Sequence, residues 1–207
     1  FAFADGAEVT VEANPGTVDE AKIAALLAAG VNRLSLGVQS FSDETLRALG
    51  RIHTAGEARE AVASARRAGC DNISLDLMYG VPRQSLGEWR ESLAAAVECG
   101  VEHISAYGLT VEEGTALEAQ IERGEMPAPD DDLAADMYGV AEEVLGEAGF
   151  EHYEISNFAR DNLACAHNEV YWANASYIGL GPAAVSYTGG ERRRNVASGS
   201  GPSTGPQ

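Results

Sequence analysis

The residues of this sequence that are best suited to chemistry stand at the ends of short apolar segments. Glu12 ends one segment, Gln39 ends a second and Asp76 ends a third. Carboxylates accept hydrogen bonds and an amide both donates and accepts them, so these side chains suit a polar ligand. Glu12 could equally be a helix cap or a loop ion pair, and Gln39 could satisfy main-chain groups of the next turn. Asp76 lies among apolar residues, where a carboxylate is costly to bury, and this favours a functional role.

Two further side chains could contact an anion or a metal. Arg51 lies in a loop of an acidic protein and could hold a carboxylate through two hydrogen bonds, although an ion pair with a nearby glutamate is the commoner role. His167 is surrounded by Cys165, Tyr171 and Trp172, which suits a metal or heme ligand. A lone histidine is more often structural, so from its surroundings alone both interpretations of His167 stay open.

The elements that would position these side chains follow a βα rhythm. Strand patterns at 8–12, 33–39, 73–76 and 103–107 alternate with helical patterns, which predicts a parallel sheet with helices outside it. Capping-box patterns that begin at Thr17, Thr54 and Ser85 precede three of the helices, and glycines end them. The carboxyl ends of parallel strands lie at one end of a sheet. We therefore expect the polar residues there together, namely Glu12, Gln39, Asp76, Tyr107 and Thr110.

The rhythm changes after Tyr107. A loop at 124–132 precedes a helical pattern at 133–148, a strand pattern at 150–156, an aperiodic segment at 157–176 and a hairpin of 177–187 with 191–196. We predict a partial barrel at 1–120, an extension with a 165–172 loop and the hairpin at 121–196, and a disordered tail at 197–207. Four βα units do not close an eight-stranded barrel, so we expect further strands upstream of Phe1.

Composition excludes some classes of partner. The formal net charge is -18, with 32 acidic and 14 basic residues, which disfavours a nucleic-acid backbone or an anionic membrane. No apolar run approaches the ~18 residues of a membrane span, and no secretory signal opens the chain. Three cysteines without a C-x-x-C pair indicate a reducing compartment, and we expect a cytoplasmic location.

Six motifs, taken together and in this order, resemble the HemW family of radical S-adenosylmethionine (SAM) proteins, which are often described as oxygen-independent coproporphyrinogen III oxidase-like. The match runs from about residue 8 to residue 196. The resemblance implies a partial (β/α)6 barrel, a [4Fe-4S] cluster and SAM, with Glu12, Gln39, Arg51 and Asp76 contacting SAM. The motifs are EANP at 12–15, GVQSF at 37–41, LGRIH at 49–53, DLMYGVP at 76–82, YEISNFA at 153–159 and HNEVYW at 167–172.

The resemblance implies one of two functions in heme metabolism. The HNxxYW motif favours a heme-binding chaperone that transfers heme to acceptor proteins, with His167 as the heme ligand and Cys165 as a weaker candidate. The alternative is an oxygen-independent coproporphyrinogen III oxidase, which decarboxylates a porphyrinogen by a radical route. A non-catalytic α/β scaffold domain is a third hypothesis. The family's C-x-x-x-C-x-x-C motif is absent from this sequence, so we expect this chain to lack the cluster and to be inactive alone.

Overall fold

In the computed structural model, which describes residues 4–197, the chain forms two compact units that meet in sequence at Ala164 and Cys165. The first unit contains β1 (Thr10–Ala13), α1 (Glu20–Ala28), β2 (Arg33–Gln39), α2 (Asp43–Ala48), α3 (Ala55–Arg67), β3 (Ile73–Tyr79), α4 (Leu86–Glu98), β4 (His103–Gly108), α5 (Ala116–Glu122), α6 (Asp131–Glu147), β5 (Glu151–Glu154) and β6 (Asn157–Ala159). The second contains α7 (Ala166–Trp172), β7 (Val185–Thr188) and β8 (Glu191–Arg194). The predicted division at residues 120 and 196 stays a prediction, and residues 198–207 of the predicted tail lie outside the described residues.

The first unit is built on a six-stranded sheet with the order β1-β2-β3-β4-β6-β5. Strands β1 to β4 are parallel, which confirms the α/β prediction. β6 runs antiparallel to β4, and β5 runs antiparallel to β6. Only Ile155 and Ser156 separate β5 from β6, and so short a connection can join only antiparallel strands. The sheet is therefore mostly parallel rather than wholly so.

The helix ends show which capping patterns act as caps. Thr54 and Ser85 each form the predicted capping box with the glutamate three residues later. The prediction for Thr17 was wrong, because α1 begins after Asp19, whose side chain accepts a hydrogen bond from the Lys22 amide. The Thr17 hydroxyl instead donates to the main-chain oxygen of Asn14 at 2.6 Å. A short threonine hydrogen bond within the preceding turn thus competes with capping.

Two helices differ from the sequence-based expectation. The helix α5 was not predicted, and its N-terminus is capped by the Thr115 side chain, which accepts from the Glu118 amide. The segment expected to be a 165–172 loop is the helix α7, with Cys165 at its N-cap position and no side-chain cap of the helix. The hairpin of β7 and β8 matches its prediction. Within residues 4–197, no helix is long and apolar enough to cross a lipid bilayer.

The two faces of the sheet differ in polarity, because side chains alternate along each strand. Residues such as Leu36, Leu75 and Ile104 are fully buried in the main core, on the face that packs against the helices. Trp89 of α4 is also fully buried, and its indole donates a 2.8 Å hydrogen bond to the main-chain oxygen of Met137 in α6. The polar residues of the strands occupy the opposite face, where the candidate site lies.

Candidate functional site

The centre of the polar face holds a carboxylate pair. Asp76 of β3 accepts hydrogen bonds from the Ser35 hydroxyl of β2 at 3.2 Å to each carboxylate oxygen. Burial raises the pKa of Asp76, the Ser105 and Ser35 hydroxyls counteract this, and the negative charge of Glu12 raises the pKa further. Glu12 is opposite Ser35 in the register of β1 and β2 and is exposed to solvent. The fold thus brings Glu12 and Asp76, residues from distant parts of the sequence, close enough to interact.

A second group of polar side chains surrounds Gly37 of β2. Gln39 ends this strand with a φ of +67°, an uncommon backbone conformation for a residue with a side chain. A Cβ atom on Gly37 would lie 3.0 Å from Asn14 Oδ1 and 3.2 Å from Gln39 Nε2. Arg51 donates a hydrogen bond from Nη1 to the same Asn14 oxygen at 3.1 Å. The Asn14 amide, which Arg51 contacts, and the Gln39 amide thus both lie next to Gly37, and the absence of a side chain there leaves room for them.

A cleft of about 310 Å³ lies beyond the strand ends, next to Arg51. Met78 lines its floor, and Leu109, Thr110 and residues of α5 line its other side. Arg51 and Thr110 thus share one cleft. Glu12, Gln39 and Asp76 lie outside this lining, on the neighbouring strands. Tyr107 is half exposed at the end of β4. Burial raises the pKa of its hydroxyl, and hydrogen bonds with Ser105 and Asn157 partly offset this rise.

A buried network on the same face was missed by the sequence analysis. The Ser74 hydroxyl contacts His103 Nδ1 at 2.8 Å, and the Tyr153 hydroxyl contacts His103 Nε2 at 2.8 Å. Burial, reinforced by the positive charge of Arg33, lowers the pKa of His103 to about 3, so its imidazole is neutral. The polar residues that alternate along β4 are the sequence pattern from which this polar face could have been predicted.

Asn14 was not among the candidate residues predicted from the sequence, although it follows β1 in the EANP motif. Its role depends on Arg51, which is 37 residues away in the chain. A spacing of that size carries no local pattern, so only the fold shows that the two side chains meet.

In the second unit, His167 begins a continuous row of aromatic side chains. Its ring contacts Tyr171 edge to face at 4.7 Å between centroids, and Tyr171 contacts Tyr177 in the same way at 4.5 Å. His167 and Tyr171 are exposed, and Trp172 is 57% exposed. Cys165, the weaker candidate ligand, is buried. The exposed imidazole thus stands beside aromatic surface that solvent can reach.

The cysteines do not provide a metal centre. Cys70 and Cys165 are buried and Cys99 is half-buried, and burial raises the pKa of the Cys70 and Cys99 thiols. A raised thiol pKa disfavours the thiolate that a metal requires. Among the residues described, no group of three or more His, Cys, Asp or Glu side chains could hold a metal ion. These side chains therefore do not fit a [4Fe-4S] cluster.

Comparisons with known proteins agree on one superfamily. Residues 2–96 match the family model of the radical SAM superfamily. The chain is 47% identical over 177 residues to the mitochondrial radical S-adenosyl methionine domain-containing protein 1 of Bos taurus, covering 86% of this chain and 40% of that protein. It is 43% identical over 196 residues to the heme chaperone HemW of Mycobacterium tuberculosis, covering 95% of this chain and 50% of that protein.

A solved structure shares the fold. The coproporphyrinogen III oxidase HemN of Escherichia coli, a radical SAM enzyme, superposes with a TM-score of 0.80 at 25% identity, covering 95% of this chain and 48% of that one. The chain spans half or less of the length of these relatives. The resemblance that the six motifs predicted is confirmed, and the chain belongs to the radical SAM superfamily, with HemW proteins among its relatives.

Proposed function

We propose that this chain is the SAM-binding part of a heme chaperone, which binds heme and transfers it to acceptor proteins. Membership of the superfamily implies SAM and a [4Fe-4S] cluster as cofactors. The observation that carries the heme proposal is the exposed His167 ring at the start of a row of aromatic side chains. The names of the HemW relatives support the same conclusion.

The polar groups at the strand ends fit the functional groups of SAM. Its ammonium group suits the carboxylates Glu12 and Asp76, its carboxylate suits the Arg51 guanidinium, and its ribose hydroxyls suit the Gln39 amide. Reductive cleavage of SAM would need a [4Fe-4S] cluster, which the residues described here do not hold, so their role would be to hold SAM itself. The residues described here bind and orient it, while the half-buried position of Asp76 limits the access of water.

The segment around His167 fits a porphyrin. A neutral imidazole is a common axial donor to heme iron. Tyr171 and Trp172 offer flat apolar surface that could cover the macrocycle. An exposed site suits a protein that must release its ligand to a partner, because the acceptor needs access to the bound heme. The free cysteines suit a reducing compartment such as the cytoplasm.

Heme titration of the full chain tests the chaperone proposal. We expect the parent to give a Soret band and the His167→Ala variant to lose the ligand-dependent shift of that band, because the axial donor is removed. His152→Ala is the control, since it removes an imidazole from the first unit, where it stacks on Phe158. Identical spectra and affinities for the parent and His167→Ala would exclude His167 as the ligand.

Calorimetry with SAM tests the other half of the proposal. Arg51→Gln and Asp76→Asn should each weaken binding by about tenfold or more, because a hydrogen bond to a charged group is worth ~1.5–3 kcal/mol. Arg90→Gln is the control, since Arg90 pairs with Glu143 on the helices. Parental affinity in both test variants would leave Arg51 and Asp76 as structural residues.

The second candidate function is coproporphyrinogen oxidation, which the fold shared with the Escherichia coli enzyme favours. Both candidates involve a tetrapyrrole, so they differ in the chemistry and not in the class of ligand. Incubation of coproporphyrinogen III, SAM and a reductant with a protein that joins this chain to the family's C-x-x-x-C-x-x-C motif separates them, because only the oxidase releases carbon dioxide from the propionate groups.

A further inference from the structure

The hairpin of the second unit is basic, although the chain is strongly acidic. The chain has 32 acidic and 14 basic residues, yet β8 contains three consecutive arginines. From Cys165 onwards the sequence contains only two acidic residues, Glu169 and Glu191. The second unit, which contains His167, therefore has more basic than acidic residues, unlike the rest of the chain.

The three arginines of β8 differ in their surroundings. In the register of the hairpin, Arg192 is opposite Tyr187, Arg193 is opposite Ser186 and Arg194 is opposite Val185. Because side chains alternate along a strand, Arg192 and Arg194 share one face and Arg193 lies on the other. Arg193 forms an ion pair with Glu191. Within residues 4–197, neither Arg192 nor Arg194 forms an ion pair.

The face that carries Arg192 continues the row of aromatic side chains from His167. Tyr177 pairs with Tyr187 across an isolated bridge, and their rings are 6.3 Å apart between centroids. Arg192 donates a hydrogen bond from Nη2 to the Tyr177 hydroxyl at 3.4 Å. We define the aromatic row as His167, Tyr171, Tyr177 and Tyr187. An imidazole stands at one end of the aromatic row, and the Arg192 guanidinium contacts Tyr177, the third residue of the row.

This order of groups matches the order of groups in heme. Heme carries a metal at the centre of a flat apolar ring and two propionate carboxylates at one edge. We propose that Arg192 and Arg194 bind these two carboxylates when His167 binds the iron. The proposal rests on the proposed heme binding and adds residues that recognise the anionic edge. A guanidinium binds a carboxylate in a planar, two-bonded geometry, and the net charge of -18 disfavours a polyanion as the ligand.

Three porphyrins separate the roles of arginine and histidine in the full chain. They are iron protoporphyrin IX, its dimethyl ester and metal-free protoporphyrin IX. We expect the parent to prefer the free acid to the ester, because the ester has no carboxylates for the arginines. The Arg192→Gln/Arg194→Gln double variant should lose this preference and should bind iron protoporphyrin about tenfold or more weakly than the parent. The double variant should bind the metal-free porphyrin more weakly by the same factor. His167→Ala should weaken only the iron compounds. Arg193→Gln is the matched control and should behave as the parent, because Arg193 is already paired.

Each outcome decides between the two proposals. If His167→Ala loses heme affinity while the double variant keeps the affinity and ester preference of the parent, the arginine proposal is wrong and heme binding stands. If Arg193→Gln matches the double variant, the effect is one of net charge and the specific assignment is wrong. If the parent binds none of the three porphyrins, heme binding itself is refuted, and the arginine proposal with it. Circular dichroism of each variant excludes unfolding as the cause of a loss.

Discussion

Lowering the pH from 7 to 5 should remove about 2 kcal/mol of folding free energy through one buried side chain, His103. This residue is fully buried between Ser74 and Tyr153, and burial lowers its pKa from 6.5 to about 3. The neighbouring guanidinium of Arg33 acts in the same direction. The folded protein therefore keeps this imidazole neutral throughout the range from pH 7 to pH 5.

The magnitude follows from proton binding by the unfolded chain. Below pH 6.5 the unfolded imidazole gains a proton that the folded one refuses, so each further unit costs about 1.4 kcal/mol. The stabilisation is complete above pH 6.5 and is lost progressively as the pH falls towards 3. From pH 7 to pH 5 the loss comes to about 2 kcal/mol, which is a large share of the ~5–15 kcal/mol that holds a domain folded.

Urea unfolding at both pH values measures this loss. All variants carry Trp172→Phe, so that fluorescence reports only Trp89, the buried tryptophan of the first unit. The change in unfolding free energy between pH 7 and pH 5 should be about 2 kcal/mol smaller in His103→Gln than in the parent. His167→Gln is the control, because it removes an imidazole without touching the buried network. An equal pH dependence in the parent and His103→Gln would refute this reasoning.

Three other perturbations should have separable effects. Asp76→Asn should raise the unfolding free energy at pH 8 and weaken SAM binding, because burial raises the pKa of this carboxyl and its charge is costly there. The stability gain should shrink as the pH falls and Asp76 becomes protonated. Gly37→Ala should weaken SAM binding in calorimetry more than it lowers the melting temperature, because the new Cβ would displace the Asn14 and Gln39 amides. Trp89→Phe should lower the unfolding free energy by about 1–3 kcal/mol in urea titrations followed by circular dichroism, because it removes the buried indole and the hydrogen bond that it donates to α6.

Controls make these three tests decisive. Ser64→Ala, in α3 and outside the candidate site, should change neither SAM affinity nor the pH dependence. A loss of stability in Asp76→Asn at pH 8 would mean that the charge of Asp76 is satisfied by its neighbours. Parental SAM affinity in Gly37→Ala would place the ligand away from the Asn14 and Gln39 amides. An unchanged urea midpoint in Trp89→Phe would mean that water replaces the lost donor.

Local patterns predicted the part of the fold that local interactions determine. The capping boxes at Thr54 and Ser85 are complete within four residues, so the sequence alone contains them. The capping prediction for Thr17 was wrong because its hydroxyl donates instead to the main-chain oxygen of Asn14 in the preceding turn. The strand β6 was missed because it has only three residues and is held by β4, more than fifty positions earlier in the chain.

The residues of the candidate site divide in the same way, into those that local position predicts and those that only the fold brings together. The expected strand ends singled out Glu12, Gln39 and Asp76, although β3 continues to Tyr79 and Asp76 lies inside it. Local position was not enough to find the hydrogen bond between Arg51 and Asn14 or the contacts of His103, which join segments that are 29 to 50 residues apart. Those contacts depend on strand register, and a single sequence carries no signal for register across so long a separation.

The order of strands in the sheet has a consequence for synthesis on the ribosome. Because β1 to β4 are neighbours in both sequence and space, each βα unit can dock on the previous one as it emerges. The next partner of β4 is β6, which follows roughly 50 residues later and so appears roughly 2–10 seconds later at ordinary rates of translation. During that interval the outer edge of β4 has unpaired main-chain groups. This edge is therefore the point at which a nascent chain is most exposed to misassociation with another strand.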